Sequence, residues 1–568
     1  MKQQWWHNKV AYQIYPKSFL DTTGSGTGDL NGVIEKLDYL QELGIDMIWL
    51  SPCFVSPFKD QGYDIADYQT IDPRFGSNED LHRLISQAAE RGITVLLDLV
   101  INHCSDQHPW FQQALKDPYG PYGAYFYFEK GKGPGCEPPN NWRSYFGGSV
   151  WEPVPGTDLY YLHLFDKSQP DLNWENQALR QEIYSMAKGW LEQGIAGFRL
   201  DAIMNLKKAL PFKANSYQPD RADGRVDAAR MLEHTSGLTD LLQDMKQQVF
   251  QPYRAFTVGE VFSDPAGQID ALMGDQGCFS TIFDFRAAFW GQDERGWYAN
   301  KPMTGEAFKK ALFETQQIVG DRGLIATVLE NHDEPRGVSR YLPAADLSVY
   351  SKKMLAAIHL LTKGIPFIYQ GQEIGMENRV LQSPDQMDDL ASRDQYQLAI
   401  NQGGLSPAEA LKVVNLYSRD NGRTPMQWDA TSQAGFTTGT PWLEVNPDYK
   451  IINVACQQKD PDSLWNWYRQ LIQLRKSSEY SMVLVYGEQQ PFKAAQTGLL
   501  AFYRKNRCQT LLVLANYQPQ PQRVTLDALP EVILLNNYAG LQRSGRQLTL
   551  QGYQLLLLQL QAAGNLEP

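Results

Sequence analysis

The stretch Gly194-Ile195-Ala196-Gly197-Phe198-Arg199-Leu200-Asp201 decides the fold. A glycine stands where a helix would end in a left-handed turn. An isoleucine then opens a mostly apolar run that stops on an acid. The same junction recurs: Gly44-Ile45 leads into Met47–Pro52, Gly92-Ile93 into Thr94–Val100, and Gly364-Ile365 into Pro366–Gly371. Amphipathic segments come before it. Val33, Leu37, Leu40 and Leu43 fall on one helical face, as do Leu81, Leu84, Ile85 and Ala88, with Ser77 and Asp80 as a predicted capping box. The runs themselves are nearly continuous, the pattern of parallel strands covered on both faces.

Working outward gives eight such runs: Val10–Tyr15, Met47–Ser51, Thr94–Val100, Gly197–Asp201, Phe256–Val261, Ser280–Phe285, Ile325–Glu330 and Phe367–Gly371. Eight strands separated by helical segments predict an α/β fold, a (β/α)8 TIM barrel over residues 1–103 and 173–485. A doubly wound open sheet shares this periodicity, but its nucleotide-binding form needs a Gly-rich phosphate loop after the first strand, and there is none. Residues 104–172, rich in Gly, Pro and aromatics, read as an inserted subdomain after the third strand. From 486 to 568 short β-rich runs with turns, among them Leu499–Arg504, Thr510–Ala515 and Gln547–Gln559, predict a C-terminal antiparallel β-sandwich domain.

Composition narrows the function classes. The 568 residues are 43% hydrophobic and 20% charged, as in ordinary globular enzymes. A net charge of −12, with no basic run, excludes a nucleic-acid partner. The six cysteines stand far apart and form no CxxC, so neither a disulfide framework nor a zinc knuckle is expected. No export segment opens the chain, and no apolar stretch approaches the roughly 20 residues of a membrane span. A cytoplasmic protein without a membrane partner, monomer or homodimer, is the expectation. The 14 Trp, 29 Tyr and 24 Phe read first as packing and only permit sugar stacking.

In a barrel of this kind, reactive residues belong at the C-terminal ends of the strands. Those ends carry Asn102-His103, Arg199 and Asp201, Glu260, and His332-Asp333. Asp98, two residues inside the third run, reads as structural. Any one acid after a strand is more often a helix cap. Their convergence on one rim is the signal.

The segments DLVINH (98–103), GFRLDA (197–202), TVGE (257–260) and ENHDEPR (330–336) resemble the four signature regions of the α-amylase family, glycoside hydrolase family 13. Gly62-Tyr63-Asp64, Gln169–Trp174, Gln370–Met376 and Ser418–Trp428 extend the resemblance, the last towards oligo-1,6-glucosidases, maltases and trehalose-6-phosphate hydrolases. It implies an exo-acting retaining α-glucosidase on small oligosaccharides, with Asp201 as nucleophile, Glu260 as general acid/base and Asp333 as the third acid. Arg199 would keep Asp201 ionised and oriented, and His103 and His332 would bond hydroxyls of the same glucose. Asp60 and Arg419 would close the pocket floor, and Tyr63 would give a stacking platform. Ala202, where α-1,6-specific relatives usually carry Val, would widen the neighbouring site towards maltose-type or mixed linkages.

No cofactor is implied. The calcium loop of many relatives here reads Asp21-Thr22-Thr23-Gly24-Ser25-Gly26-Thr27-Gly28-Asp29, with two ligands replaced, leaving at most weak Ca²⁺ binding. A metal held by the two histidines lacks a third ligand. Lys207, Lys208 and Lys213 lie in the loop 205–225, where they would suit trehalose 6-phosphate if they are not merely solvated. The Arg-Leu-Asp-Arg-Asp motif of sucrose isomerases is absent after Phe285. An inactive family-13-like scaffold is the reading from another class, against which stand the retained acids.

Overall fold

The computed structural model describes residues 2–221, 223–261, 268–492 and 496–561. Residue 222 of the lysine-bearing loop and residues 562–568 of the predicted C-terminal domain lie outside them. Strands β1 (Ala11–Ile14), β2 (Met47–Leu50), β3 (Thr94–Leu99), β4 (Gly197–Leu200), β5 (Phe256–Gly259), β6 (Thr281–Asp284), β7 (Ala326–Thr327) and β8 (Ile365–Tyr369) close into a parallel barrel. Each pairs with its neighbour in chain order, and β8 returns to β1.

The glycine junctions explain how the chain re-enters the sheet. Gly44, Gly92 and Gly194 take φ of 98°, 71° and 98°, so a helix stops and the next residues turn into a strand. The helix Asn78–Glu90 starts on the predicted box, Ser77 and Asp80 each accepting the other's backbone N–H. The fourth junction corrects the expectation. Its helix, Val349–Leu361, ends on an extended Thr362, and Gly364 is not left-handed. Glycine is needed there for space, because a Cβ would sit 2.6 Å from both the carbonyl oxygen of Ile325 and the Cγ2 of Thr327. Strand β8 also begins two residues before the predicted run; Pro366 is tolerated because it falls at the strand's start.

Two cores follow from the period-two alternation of the strands. Met47, Trp49, Leu96, Phe256, Val258, Phe283 and Phe367 fill the barrel interior, while Ile48, Leu50, Val95, Leu97, Phe198 and Leu200 join the larger core under the surrounding helices. Trp49, Phe283 and Phe367 meet with ring centroids 5.1–6.4 Å apart and form an aromatic layer inside the barrel.

Between β3 and β4, strands Phe128–Lys130, Trp151–Pro153 and Leu159–Leu162 form a small antiparallel sheet. After residue 487, a five-stranded and a three-stranded antiparallel sheet share one core that includes Leu512, Leu514, Leu548, Leu550, Leu556 and Leu558. The predicted run Gln547–Gln559 splits into Gln547–Leu550 and Leu555–Leu560. A turn at Gly552-Tyr553, with Tyr553 at φ 57°, carries the chain from one sheet to the other. Among the described residues no helix is long and apolar enough to cross a membrane.

Gly197 marks the tightest strand contact in the barrel, since a Cβ there would fall 1.8 Å from the carbonyl oxygen of Phe256. Gly197→Ala is expected to cost about 1–3 kcal/mol or more, measured as a lower denaturation midpoint. An unchanged midpoint would refute this close approach.

Candidate active site

The inward phase that fills the barrel also delivers the charged groups. Leu96 is followed two residues on by Asp98, Arg199 by Asp201, and Val258 by Glu260, so each of these acids continues an inward-facing row above the aromatic layer. Arg199 is paired in register with Asp98 on β3 and Val258 on β5. Its guanidinium, 1% exposed, gathers three acids. Nη1 donates to Asp98 at 2.9 Å and to Asp201 at 2.5 Å, and Nη2 donates to Glu260. The cation also lies 5.2 Å over the Trp49 ring, whose indole N–H donates to Asp98 at 3.2 Å.

The two acids expected to do chemistry therefore share one guanidinium. Asp201 stands at the mouth of β4. Glu260 stands beside it, its Oε2 accepting the backbone N–H of Ala202 at 2.9 Å. Ala202 takes a left-handed conformation at φ 44°, which turns that N–H towards Glu260. Burial pushes the Glu260 carboxyl well above the usual range; Asp201 and Asp333 add to this, and Arg199 and the Ala202 N–H oppose it. Asp98 is raised to about 7, again chiefly by burial, with Arg199 opposing.

A second ionic cluster forms the other wall. Asp333 accepts from Arg419 at 3.0 Å and from Arg423 at 2.9 Å, and its Oδ2 lies 2.9 Å from Nε2 of His332. Burial alone would raise Asp333, but these three donors hold it well below the carboxylate range. Arg419 also reaches Asp389 at 2.6 Å and Asp60 at 3.6 Å. Asp60 is raised to about 7 by burial, against the pull of the two arginines, and accepts from Gln169 at 3.0 Å. The predicted floor pair, Asp60 and Arg419, is thus in contact.

The two histidines, each expected to bond a sugar hydroxyl, are both buried beside the acids. His103 is 1% exposed, with Nδ1 3.2 Å from the Asn102 amide and Nε2 3.1 Å from the Tyr63 carbonyl oxygen. His332 is fully buried, Nδ1 meeting the Gln13 amide at 2.8 Å, with Nε2 turned towards Asp333. Burial lowers both below the usual histidine range, so they stand neutral; His332 Nε2 is buried beside Asp333 without an aligned hydrogen-bond partner. Tyr63 stacks on His332, centroids 5.0 Å apart and planes 5° off parallel, and its hydroxyl donates to Asp98 at 3.0 Å. Phe146 lies under the Arg419 guanidinium at 5.2 Å, and Phe165 packs 5.0 Å from His103.

Residues 13–487 match the α-amylase family, described as "Alpha amylase, catalytic domain". The chain is 38% identical to an oligo-1,6-glucosidase of Bacillus cereus, covering 99% of this chain and 100% of the relative. It is 39% identical to a trehalose-6-phosphate hydrolase of Bacillus subtilis, covering 98% of each. Among solved structures, an isomaltulose synthase from Klebsiella sp. LX3 superposes with a TM-score of 0.92 at 34% identity, over 99% of this chain and 100% of that one.

The chain belongs to the α-amylase family. It is a glycoside hydrolase, and an enzyme of this kind needs no cofactor.

The Asp21–Asp29 loop is closed by its own hydrogen bonds. Asp21 accepts hydrogen bonds from the backbone of Thr23, Gly24 and Gly26 and from the hydroxyls of Thr23 and Thr437. Asp29 accepts from Thr22 and caps the helix Leu30–Glu35 through Gly32 N–H. A bound Ca²⁺ requires six to eight oxygen lone pairs aimed inward. These carboxylates point lone pairs at N–H and O–H donors, and among the described residues no group of three or more His, Cys, Asp or Glu is placed to hold a metal ion.

The lysines are spent in the same way. Lys207 pairs with Glu175 at 2.5 Å, fully buried Lys208 with Asp171 at 2.8 Å, and Lys213 approaches Glu129 at 3.9 Å. Three partners escaped sequence reasoning. Arg423 and Gln169 lie inside quoted family segments but were given no role. Asp389 caps the helix Leu390–Asn401, and the same carboxylate anchors Arg419.

Arg199→Lys keeps the charge but loses the fork that serves three acids. Misplacement of the acids is expected to lower kcat/KM about 100-fold, with near-UV circular dichroism confirming an intact barrel. Full activity in a folded variant would contradict the shared-guanidinium arrangement.

Proposed function

We propose that this chain is an exo-acting retaining α-glucosidase that removes the non-reducing terminal glucose from short α-glucosides, with Asp201 as nucleophile and Glu260 as general acid/base. The observation that carries the reading is the single Arg199 guanidinium bonded to both carboxylates at adjacent strand ends. Retaining enzymes need their two carboxyl groups about 5–5.5 Å apart, with no room for a water between them.

The chemistry follows from the protonation states. Asp201 attacks the anomeric carbon and the C–O bond to the leaving sugar breaks as Glu260 passes its proton to that oxygen. In the second half Glu260 takes a proton from water, the water oxygen attacks the same carbon, and the bond to Asp201 breaks. Two inversions leave an α-glucose. Asp333, held ionised by Arg419, Arg423 and His332, is suited to grip ring hydroxyls as the sugar distorts. The contact between Asp60 and Arg419 supports a closed floor beneath one glucose, hence exo action.

Lys207 and Lys208 already face carboxylates, which weakens the motive for a phosphorylated substrate drawn from that loop, where only exposed Lys213, 3.9 Å from Glu129, stands loosely paired. Neutral disaccharides and short oligosaccharides fit better. All six cysteines are free, which supports a reducing compartment, the cytoplasm.

Two measurements test the site. On maltose, kcat/KM is expected to fall as pH rises through the pKa of Glu260, which lies above that of an ordinary glutamate, because the deprotonated form cannot donate. Glu260→Gln should lose about 10²–10⁴-fold on maltose and lack that alkaline limb; a limb that persists would reassign the acid. With p-nitrophenyl α-glucoside, which needs little acid help to leave, the same variant should accumulate a glucosyl adduct on the Asp201 peptide by mass spectrometry. Wild-type turnover in Asp201→Asn would rule out this nucleophile.

A further inference from the structure

At the N-terminal end of the barrel, opposite the acids, a cavity of about 450 Å³ opens between the segment before β1, the start of β5 and the loops that lead into β6 and β7. That volume is in the range of a small-ligand site. Thr257, the second residue of β5, is part of its lining. Glu260 stands at the far end of the same strand, so this space is separate from the candidate active site.

One wall forms where a helix departs from regular geometry. The helix Leu238–Met245 widens into a π-turn, Lys246–Phe250, after which the Gln251 N–H reaches back to the Lys246 carbonyl oxygen at 2.8 Å. Such turns are rare and recur at functional sites. Arg254 then takes a left-handed φ of 52°, a conformation that side chains disfavour. Together these two departures put Lys246, Gln247, Gln251 and Arg254 in one lining.

That lining is rich in donors and poor in acceptors. Among the described residues the Arg254 guanidinium has no hydrogen-bond or ionic partner. Lys246 gives one proton to the Gly277 carbonyl oxygen at 2.5 Å and keeps two. The Trp6 indole N–H is buried without an acceptor. His7 accepts the Gln4 N–H on Nδ1 at 3.3 Å, and burial, opposed by Asp275, lowers its pKa to about 4. Its ring is therefore neutral with the proton on Nε2, a further donor. Asp275 is the one carboxylate of the lining and already accepts the Lys2 N–H at 3.3 Å.

In a chain of net charge −12, a cavity where Lys246, Arg254 and Arg322 face only Asp275 concentrates positive charge. Arg322 is partly spent on Asp270 at 2.6 Å, but Lys246 and Arg254 are not. A neutral sugar brings hydroxyl protons that this lining would leave unmatched, whereas a phosphate brings oxygens that only accept. The half-buried Trp5 and Trp6 rings, 5.7 Å apart and edge-on at 87°, form an apolar corner for the ring that carries the phosphate. We propose that this cavity binds a phosphate ester of a sugar or a nucleoside, with the phosphate on Arg254 and Lys246 and the ring body against Trp5.

Isothermal titration calorimetry of the full chain with glucose 6-phosphate, AMP and inorganic phosphate tests the site, with glucose in excess to occupy the candidate active site. One ester is expected to bind about tenfold more tightly than inorganic phosphate, and the tighter of the two identifies the body recognised. Arg254→Gln and Lys246→Gln should each weaken that ester about tenfold, with near-UV circular dichroism unchanged. Trp5→Ala should erase the advantage over inorganic phosphate. Binding of neither ester, binding no tighter than inorganic phosphate, or binding that survives both Arg254→Gln and Lys246→Gln would overturn the site. Hydrolysis is not read in these titrations, so their outcome and that of the α-glucosidase reading are decided separately.

Discussion

One buried guanidinium among three buried carboxyl groups is the constraint on which this structure turns. Among the described residues Arg199 is the single cation within bonding reach of Asp98, Asp201 and Glu260. Three ionised acids around one cation would leave two uncompensated charges inside the barrel, which costs far more than holding a proton. The protons settle where burial is deepest and compensation weakest, so Asp98 and Glu260 are both raised. A glycosidase needs one protonated and one ionised carboxyl at neutral pH. Here burial, opposed by only one shared guanidinium, raises Glu260, the carboxyl proposed as the acid.

The barrel makes this crowding affordable by geometry. Alternate residues of β3, β4 and β5 face inward, and the same phase that puts Leu96 and Val258 in the apolar core puts Asp98 and Glu260 above it. Trp49 joins the layers, its ring under the Arg199 cation and its N–H on Asp98. Removing water from beneath the cluster strengthens each contact above. The neutral histidines complete the scaffold: His332 is fixed by Gln13 from β1 and stacked on Tyr63, which holds its Nε2 2.9 Å from Asp333.

What could be read from sequence follows from the same physics. Parallel strands covered on both faces leave long apolar runs that end abruptly in charge, and glycine punctuates the helix ends, so the eight strands and their reactive tips were legible. Gly364 misled because a glycine needed for close approach looks identical in sequence to one needed for a left-handed turn. The acids at strand ends were legible as a set, but their partners were not. Asp389 and Lys208 contact residues 30 and 37 positions away along the chain, and each has a plausible local role that conceals the distant one. The lysines looked like a basic loop because pairing with Glu175 and Asp171 requires the fold. The Asp21–Asp29 loop kept its glycines and changed its ligands, and only the hydrogen bonds show that it now closes on itself.

The two ionic clusters differ in a way that bears on recognition. Around Arg199 the groups are almost sealed, with side-chain exposures of 0% for Asp98, 3% for Glu260 and 9% for Asp201. Around Arg419, Asp389 is fully buried, but the Asp333 side chain remains 31% exposed although three donors hold it. Partners that are themselves buried hold this partly exposed carboxylate in place. They fix the direction in which the remaining lone pairs point. A hydroxyl that reaches Asp333 therefore meets an acceptor whose orientation has been set in advance, so little ordering remains to oppose binding. On the proposed reading, the second cluster holds the ring in place while the first exchanges a proton and a bond.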